Sequence, residues 1–162
     1  MKILLKVGLT VVLCCYLFIL SKLILFKHLA IPDIMSHFTF NFDGYYWNNH
    51  NFIPFKTITY YLFLANDINI NIRVENLTGN IIGFMPFGFI LPLLSSKFHR
   101  FKKITIAALS LSLTFELIQL IFGFGSFDVD DIILNTLGGI LGYLPISIYT
   151  NRRQGQQKNV MD

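Results

Sequence analysis

Carboxylates and amides recur in this chain inside long runs of apolar residues. Asp128, Asp131, Asn135, Gly138 and Gly142 fall at i, i+3, i+7, i+10 and i+14, one stripe of a helix. Glu116 and Gln119 share a face with Ser112 on a second stretch. Asn76 and Asn80 share one with Gly83 on a third. Groups of that kind can bind the polar head of a ligand, hold a hard cation or transfer a proton. Glu116 left ionised among apolar residues is strongly disfavoured, so it is expected to be protonated, cation-bound or paired.

The elements that must position these groups are membrane-spanning helices. The chain is 54% hydrophobic, 15% aromatic and 14% charged, with a mean hydropathy of +0.58. A soluble domain carries about 25% charged residues. Four stretches, at 4–26, 76–95, 104–122 and 128–149, approach the roughly 20 residues that cross hydrocarbon. The apolar stretch at 52–65 is short for a span and reads as an interfacial or re-entrant helix. The expected fold is therefore all-α: a polytopic membrane helix bundle of about four transmembrane helices and that extra helix. One domain covers 1–162, with its core motifs in 51–143 and a basic tail at 150–162.

Charge orients the bundle. Lys2 and Lys6 precede the first run, Lys97, Arg100, Lys102 and Lys103 separate the second from the third, and Arg152, Arg153 and Lys158 follow the last. Basic residues at span ends mark the cytoplasmic side, so both termini are expected there. Residues 28–75 and 123–127 then lie outside, with Asp33, Asp43, Asp67, Glu75, Asp128, Asp130 and Asp131 on them or at their edges. The net charge of +4 thus reads as an orientation signal, and no basic stripe interleaved with aromatics points to nucleic acid. Leu13 is too bulky for a usual signal-peptide cleavage site, so the first run is expected to be an uncleaved span. Cys14 and Cys15 point apart on a helix and form no disulfide framework. His28, His37, His50 and His99 lack metal-ligand spacing. The aromatic stretch holding His37, Phe38, Phe40, Phe42, Tyr45, Tyr46 and Trp47 suits the headgroup zone.

Depth argues that the polar groups meet. At 1.5 Å per residue, Asn80, Glu116 and Asn135 lie roughly 6–11 Å below the outer ends of their expected spans. The pairs Gly79/Gly83 and Gly138/Gly142 have the small-xxx-small spacing that lets helices approach closely. Plainer roles stand beside these. Asp128 can cap the last helix, Asp130 and Asp131 can favour its first turn, and Asn80, Gln119 and Asn135 can join helices by hydrogen bonds. Asp130 itself is expected to point away from the stripe, toward the turn or the headgroups. Lys56 is the expected cationic partner of the acids, with Arg73 the runner-up.

Four ordered pieces of this sequence resemble the VanZ-like family of bacterial membrane proteins, associated with resistance to the lipoglycopeptide teicoplanin. They are Asn51-Phe-Ile-Pro54-Phe-Lys56-Thr-Ile58, Glu75-Asn-Leu-Thr-Gly-Asn80-Ile-Ile-Gly-Phe84-Met-Pro86-Phe-Gly88-Phe, and Glu116-Leu-Ile-Gln119 followed by Phe127-Asp-Val-Asp-Asp-Ile-Ile-Leu-Asn135-Thr-Leu-Gly138-Gly. The resemblance implies an envelope role in a bacterial cell membrane and supplies no established reaction. Where that family often has an arginine before its aspartates, this chain has Gly123-Phe-Gly125-Ser126, which puts more weight on Lys56.

Two functions fit. One is an outer-leaflet pocket of Asn80, Glu116, Gln119, Asp128, Asp131, Asn135 and Lys56. It would recognise an envelope lipid, a lipid-linked precursor or a lipoglycopeptide, with no cofactor and no nucleic acid. The other is a membrane enzyme acting on a polyprenyl-linked precursor, with Asp128, Asp131 and Glu116 holding a divalent metal. Neither an obvious nucleophile nor a catalytic residue stands out in the sequence.

Overall fold

The computed structural model describes residues 2–25, 50–64 and 68–159. The aromatic stretch from His37 to Trp47, together with His28, Asp33, Asp43 and Asp67, lies outside them. Helix α1 is Lys2–Leu25. A short helix α2, Lys56–Thr59, runs straight into a π-helical turn, Tyr60–Leu64. Helix α3 is Ile70–Leu94, a 3-10 turn follows at Ser96–Phe98, α4 is Phe101–Phe122 and α5 is Val129–Asn159. Among the described residues, four segments are long and apolar enough to cross a membrane: Ile3–Leu25, Ile70–Leu94, Phe101–Phe122 and Val129–Thr150. The chain is a multi-pass membrane protein.

Two helix boundaries differ from the sequence reading. Helix α3 starts six residues before position 76, because Asn69 caps it by accepting a hydrogen bond from the Asn71 N–H at 3.0 Å. Asn76 therefore sits inside the helix, its amide donating to the Ile72 carbonyl at 2.8 Å. Helix α5 runs on through Pro145 to Asn159. Past the span, Arg152, Arg153, Gln154, Gln156, Gln157 and Lys158 are good helix formers and carry the helix onward.

Close backbone approach holds α3 against α5. A Cβ on Gly138 would overlap the Ile81 carbonyl, one on Gly142 the Met85 carbonyl, and one on Gly88 the Gly139 carbonyl. Without a hydrophobic drive between helices in lipid, such contact is what holds spans together. Gly139 also faces α4, where an added Cβ would stand 2.6 Å from the Ala108 Cβ. The other two expected packing glycines are looser. Gly83 sees only Leu20, at 3.6 Å from the added atom, and Gly79 has nothing within 4 Å. A second cluster, Leu20, Leu25, Phe84, Phe115 and Phe124, joins α1, α3 and α4. Phe84 and Phe115 meet edge to face at 6.4 Å. Tyr16 pins α1 to α3 by donating to the Gly83 carbonyl at 2.6 Å.

Candidate functional site

The loop from Gly123 into α5 gathers the polar groups. Gly123 ends α4 in the left-handed conformation (φ 66°), which glycine adopts without a Cβ clash. The chain then turns back through Phe127 and Asp128 into α5. Here it pairs with a segment that begins at His50: the Asn51 N–H donates to the Phe127 carbonyl at 2.8 Å, and the Val129 N–H to the Asn51 carbonyl at 3.0 Å. These two bonds make an isolated parallel bridge between Asn51 and Asp128.

Around that bridge the carboxylates divide their work. Asp128 caps α5, its Oδ1 accepting from the Asp130 N–H at 2.8 Å and from the Asn51 amide at 2.8 Å. Its Oδ2 accepts from the Thr57 hydroxyl at 2.6 Å, and the Asn51 amide also donates to that hydroxyl at 3.0 Å. Asp130 is fully buried. It accepts three backbone N–H groups from the start of α2: Phe55 at 2.5 Å, Thr57 at 2.7 Å and Ile58 at 3.0 Å. This corrects the expectation that Asp130 points away toward the turn or headgroups. Helical spacing within α5 could not show that residues 53–58 would fold over its first turn.

Asp131 and Glu116 link the three inner spans. The Asn80 amide donates to Asp131 Oδ1 at 2.5 Å, joining α3 to α5. Glu116, 1% exposed, accepts the Asp128 N–H on Oε2 at 2.8 Å, joining α4 to the same turn. One helical turn further in, the Asn135 amide donates to the Ser112 hydroxyl at 2.9 Å. Asn135 Oδ1 and Thr136 Oγ1 are buried without a hydrogen-bond partner among the described residues.

The remaining expected site residues sit apart. Gln119 donates to the Ile24 carbonyl at 3.1 Å, at the end of α1, and lies where a Cβ on Gly125 would meet its amide at 2.8 Å. Lys56 is exposed at the first position of α2 and makes no ion pair among the described residues. Arg73 donates to the Tyr61 and Leu62 carbonyls at 2.5 and 2.8 Å, satisfying groups left open at the end of the π-helical turn. Among the described residues, no three His, Cys, Asp or Glu side chains gather as a metal ion requires.

Several participants were missed by sequence reasoning. Asn51 and Thr57 were quoted only as part of a motif, and Ser112 only as a neighbour of Glu116. His50 accepts the Phe127 N–H on Nδ1 at 2.8 Å, and burial pushes its pKa below the usual imidazole value. Tyr61, half-buried on the π-helical turn, has its phenol pKa raised by burial first, then by Tyr60 and by the charges of Asp131 and Asp128. For His50, Asn51, Thr57 and Tyr61 the signal was a polar residue within a stretch, 50–61, that is too short to be a span.

The VanZ/LLP1 family model matches residues 12–150. Protein VanZ of Enterococcus faecium is 33% identical over 146 residues, which cover 90% of this chain and 77% of that protein. No solved structure matches.

Proposed function

Since the chain belongs to the VanZ/LLP1 family, we propose that the polar groups where α3, α4 and α5 meet form a pocket that recognises an envelope lipid, a lipid-linked precursor or a lipoglycopeptide. In this reading the protein contributes to teicoplanin resistance by binding. The termini are cytoplasmic, and the Asp128–Asp131 end of the bundle faces outside. The observation that carries it is the bond from Asn80 to Asp131 at 2.5 Å, made one residue from Asp130 and three from Asp128. It brings an amide and a carboxylate from two spans to one half-buried spot, beside Glu116.

The geometry favours binding over turnover. Asp128 and Asp130 are committed to backbone and side-chain donors of residues 51–58. In this reading Asp131, Asn80 and, on opening, Glu116 meet amine, amide or hydroxyl groups of a ligand. Asp131→Asn and Asn80→Ala are the test. Cells carrying either variant, with the protein present in the membrane at normal level, should lose protection against teicoplanin. Full protection by both would overturn the reading.

A further inference from the structure

Helix α2 and the π-helical turn that continues it contain no buried residue, although they and the preceding loop are strongly apolar. Ile53, Leu62 and Leu64 are exposed, Phe55 is 58% exposed and Phe63 72%. Their place in the fold is fixed at both ends. Asn51 is bonded to Phe127 and Val129 where the α5 span begins, and Tyr61 and Leu62 are bonded to Arg73 in the first turns of α3. Residues 52–64 are thus strung between the starts of two spans, at the level of one membrane surface.

Phe55 adds a separate observation. Ile53 to Lys56 form a turn closed by the Lys56 N–H on the Ile53 carbonyl at 3.3 Å, with Pro54 at its second position. Phe55 takes the third at φ 66° and ψ 3°, the left-handed geometry in which glycine is free of strain. The three N–H groups held by Asp130 impose that geometry. The Phe55 ring gains no ring stacking among the described residues and remains mostly uncovered, so the protein itself draws little from having an aromatic there. Lys56, next to it, is exposed and has no acidic partner among the described residues.

We infer that residues 52–64 are a wedge seated in the headgroup layer, with Phe55 and Phe63 among the upper acyl chains and the Lys56 ammonium on the phosphate of an anionic phospholipid. An aromatic belt and a snorkelling lysine are what that layer accepts. The segment has too few residues to cross, and its Ile53, Phe55, Leu62, Phe63 and Leu64 side chains are exposed. The wedge is independent of whether the Asn80–Asp131 site binds anything.

The test uses the full chain in vesicles, with Trp47→Phe and Phe55→Trp leaving one tryptophan. Lipids brominated near the top of the acyl chain should quench its fluorescence, and aqueous acrylamide should not. When only a minor phosphatidylglycerol fraction carries bromine in phosphatidylcholine vesicles, quenching should report local enrichment of the anionic lipid, up to about fivefold for one lysine near the surface. Lys56→Gln should remove the enrichment and leave the depth unchanged. Acrylamide quenching would place the wedge in water and overturn the inference. So would silence to both quenchers, which means protein covers it, whether residues 26–49 or a second copy. Enrichment that survives Lys56→Gln would sink the lysine's role.

Discussion

The amide of Asn80 and the carboxylate of Asp131 lie 2.5 Å apart, although 50 residues and the whole of α4 separate them in sequence. Interhelical hydrogen bonds inside a membrane contribute about 0.6 kcal/mol on average and up to about 1.7. A double-mutant cycle of Asn80→Ala and Asp131→Ala, read by reversible unfolding in bicelles, should give a coupling energy in that range. The same variants should lose far more in resistance than this modest stability change explains. Coupling near zero would mean that the two side chains do not meet in the bilayer.

Asp130 and Asp131 are adjacent and should behave oppositely. Asp130 holds three N–H groups at the start of α2, and a hydrogen bond to a charged group contributes about 1.5–3 kcal/mol. Asp130→Ala should therefore free residues 50–58, raising their amide exchange about tenfold or more. Asp131→Asn should leave that exchange unchanged. Equal exchange in both variants would contradict the division of roles.

The same loop should loosen in acid. Burial lowers the His50 pKa, so the unfolded or detached segment binds a proton more readily than the docked one. The docking contribution is then complete above the ordinary imidazole value of about 6.5. It is lost as pH falls through the lower docked value, because a protonated Nδ1 can no longer accept the Phe127 N–H. Exchange of the 50–58 amides, corrected for intrinsic rate, should rise from pH 7.5 to pH 5. In His50→Phe that pH dependence should disappear; its persistence would point to another group.

The helix interface separates glycines that look alike in sequence. Gly142→Ala pushes a Cβ into the Met85 carbonyl, while Gly79→Ala meets nothing within 4 Å. Overpacking of this kind costs about 1–3 kcal/mol, so Gly142→Ala should lower the unfolding midpoint clearly and Gly79→Ala hardly at all. Gly88→Ala should resemble Gly142→Ala. If Gly79→Ala proved as harmful, close packing would not be the reason.

What the sequence disclosed and withheld follows from the range of each signal. The four spans were legible because each is a continuous apolar window, and the shared face of Asp128, Asp131 and Asn135 because it depends on positions within one helix. Asn80 and Asp131 were expected in one pocket, but no spacing within a helix pairs them. Asp130 was misplaced because its partners are the backbone N–H groups of Phe55, Thr57 and Ile58, contributed by a segment 72 to 75 residues away that no periodicity describes. Lys56 looked like the missing countercharge because it follows Ile53-Pro54-Phe55, but that turn places it at an exposed position on α2. Gly88 and Gly139 were not among the expected packing glycines because neither has a small residue four positions away, and their close approach shows only between the two helices.

Glu116 decides between a structural and a binding role for the cluster. Its Oε2 accepts the Asp128 N–H at 2.8 Å, at the turn that starts α5. Glu116→Gln keeps an oxygen able to accept that bond while removing the ionisable group. Glu116→Ala leaves the N–H without a partner, at about 1–3 kcal/mol. The glutamine variant should therefore reach the membrane at normal level and unfold near the wild-type midpoint, and the alanine variant should be measurably weaker. If the carboxyl meets ligand, both should lose teicoplanin protection, and the glutamine variant should bind lipid or lipoglycopeptide at least tenfold less tightly, about 1.4 kcal/mol. Normal binding and protection by Glu116→Gln would leave Glu116 as a cap for the loop, with recognition resting on Asn80 and Asp131.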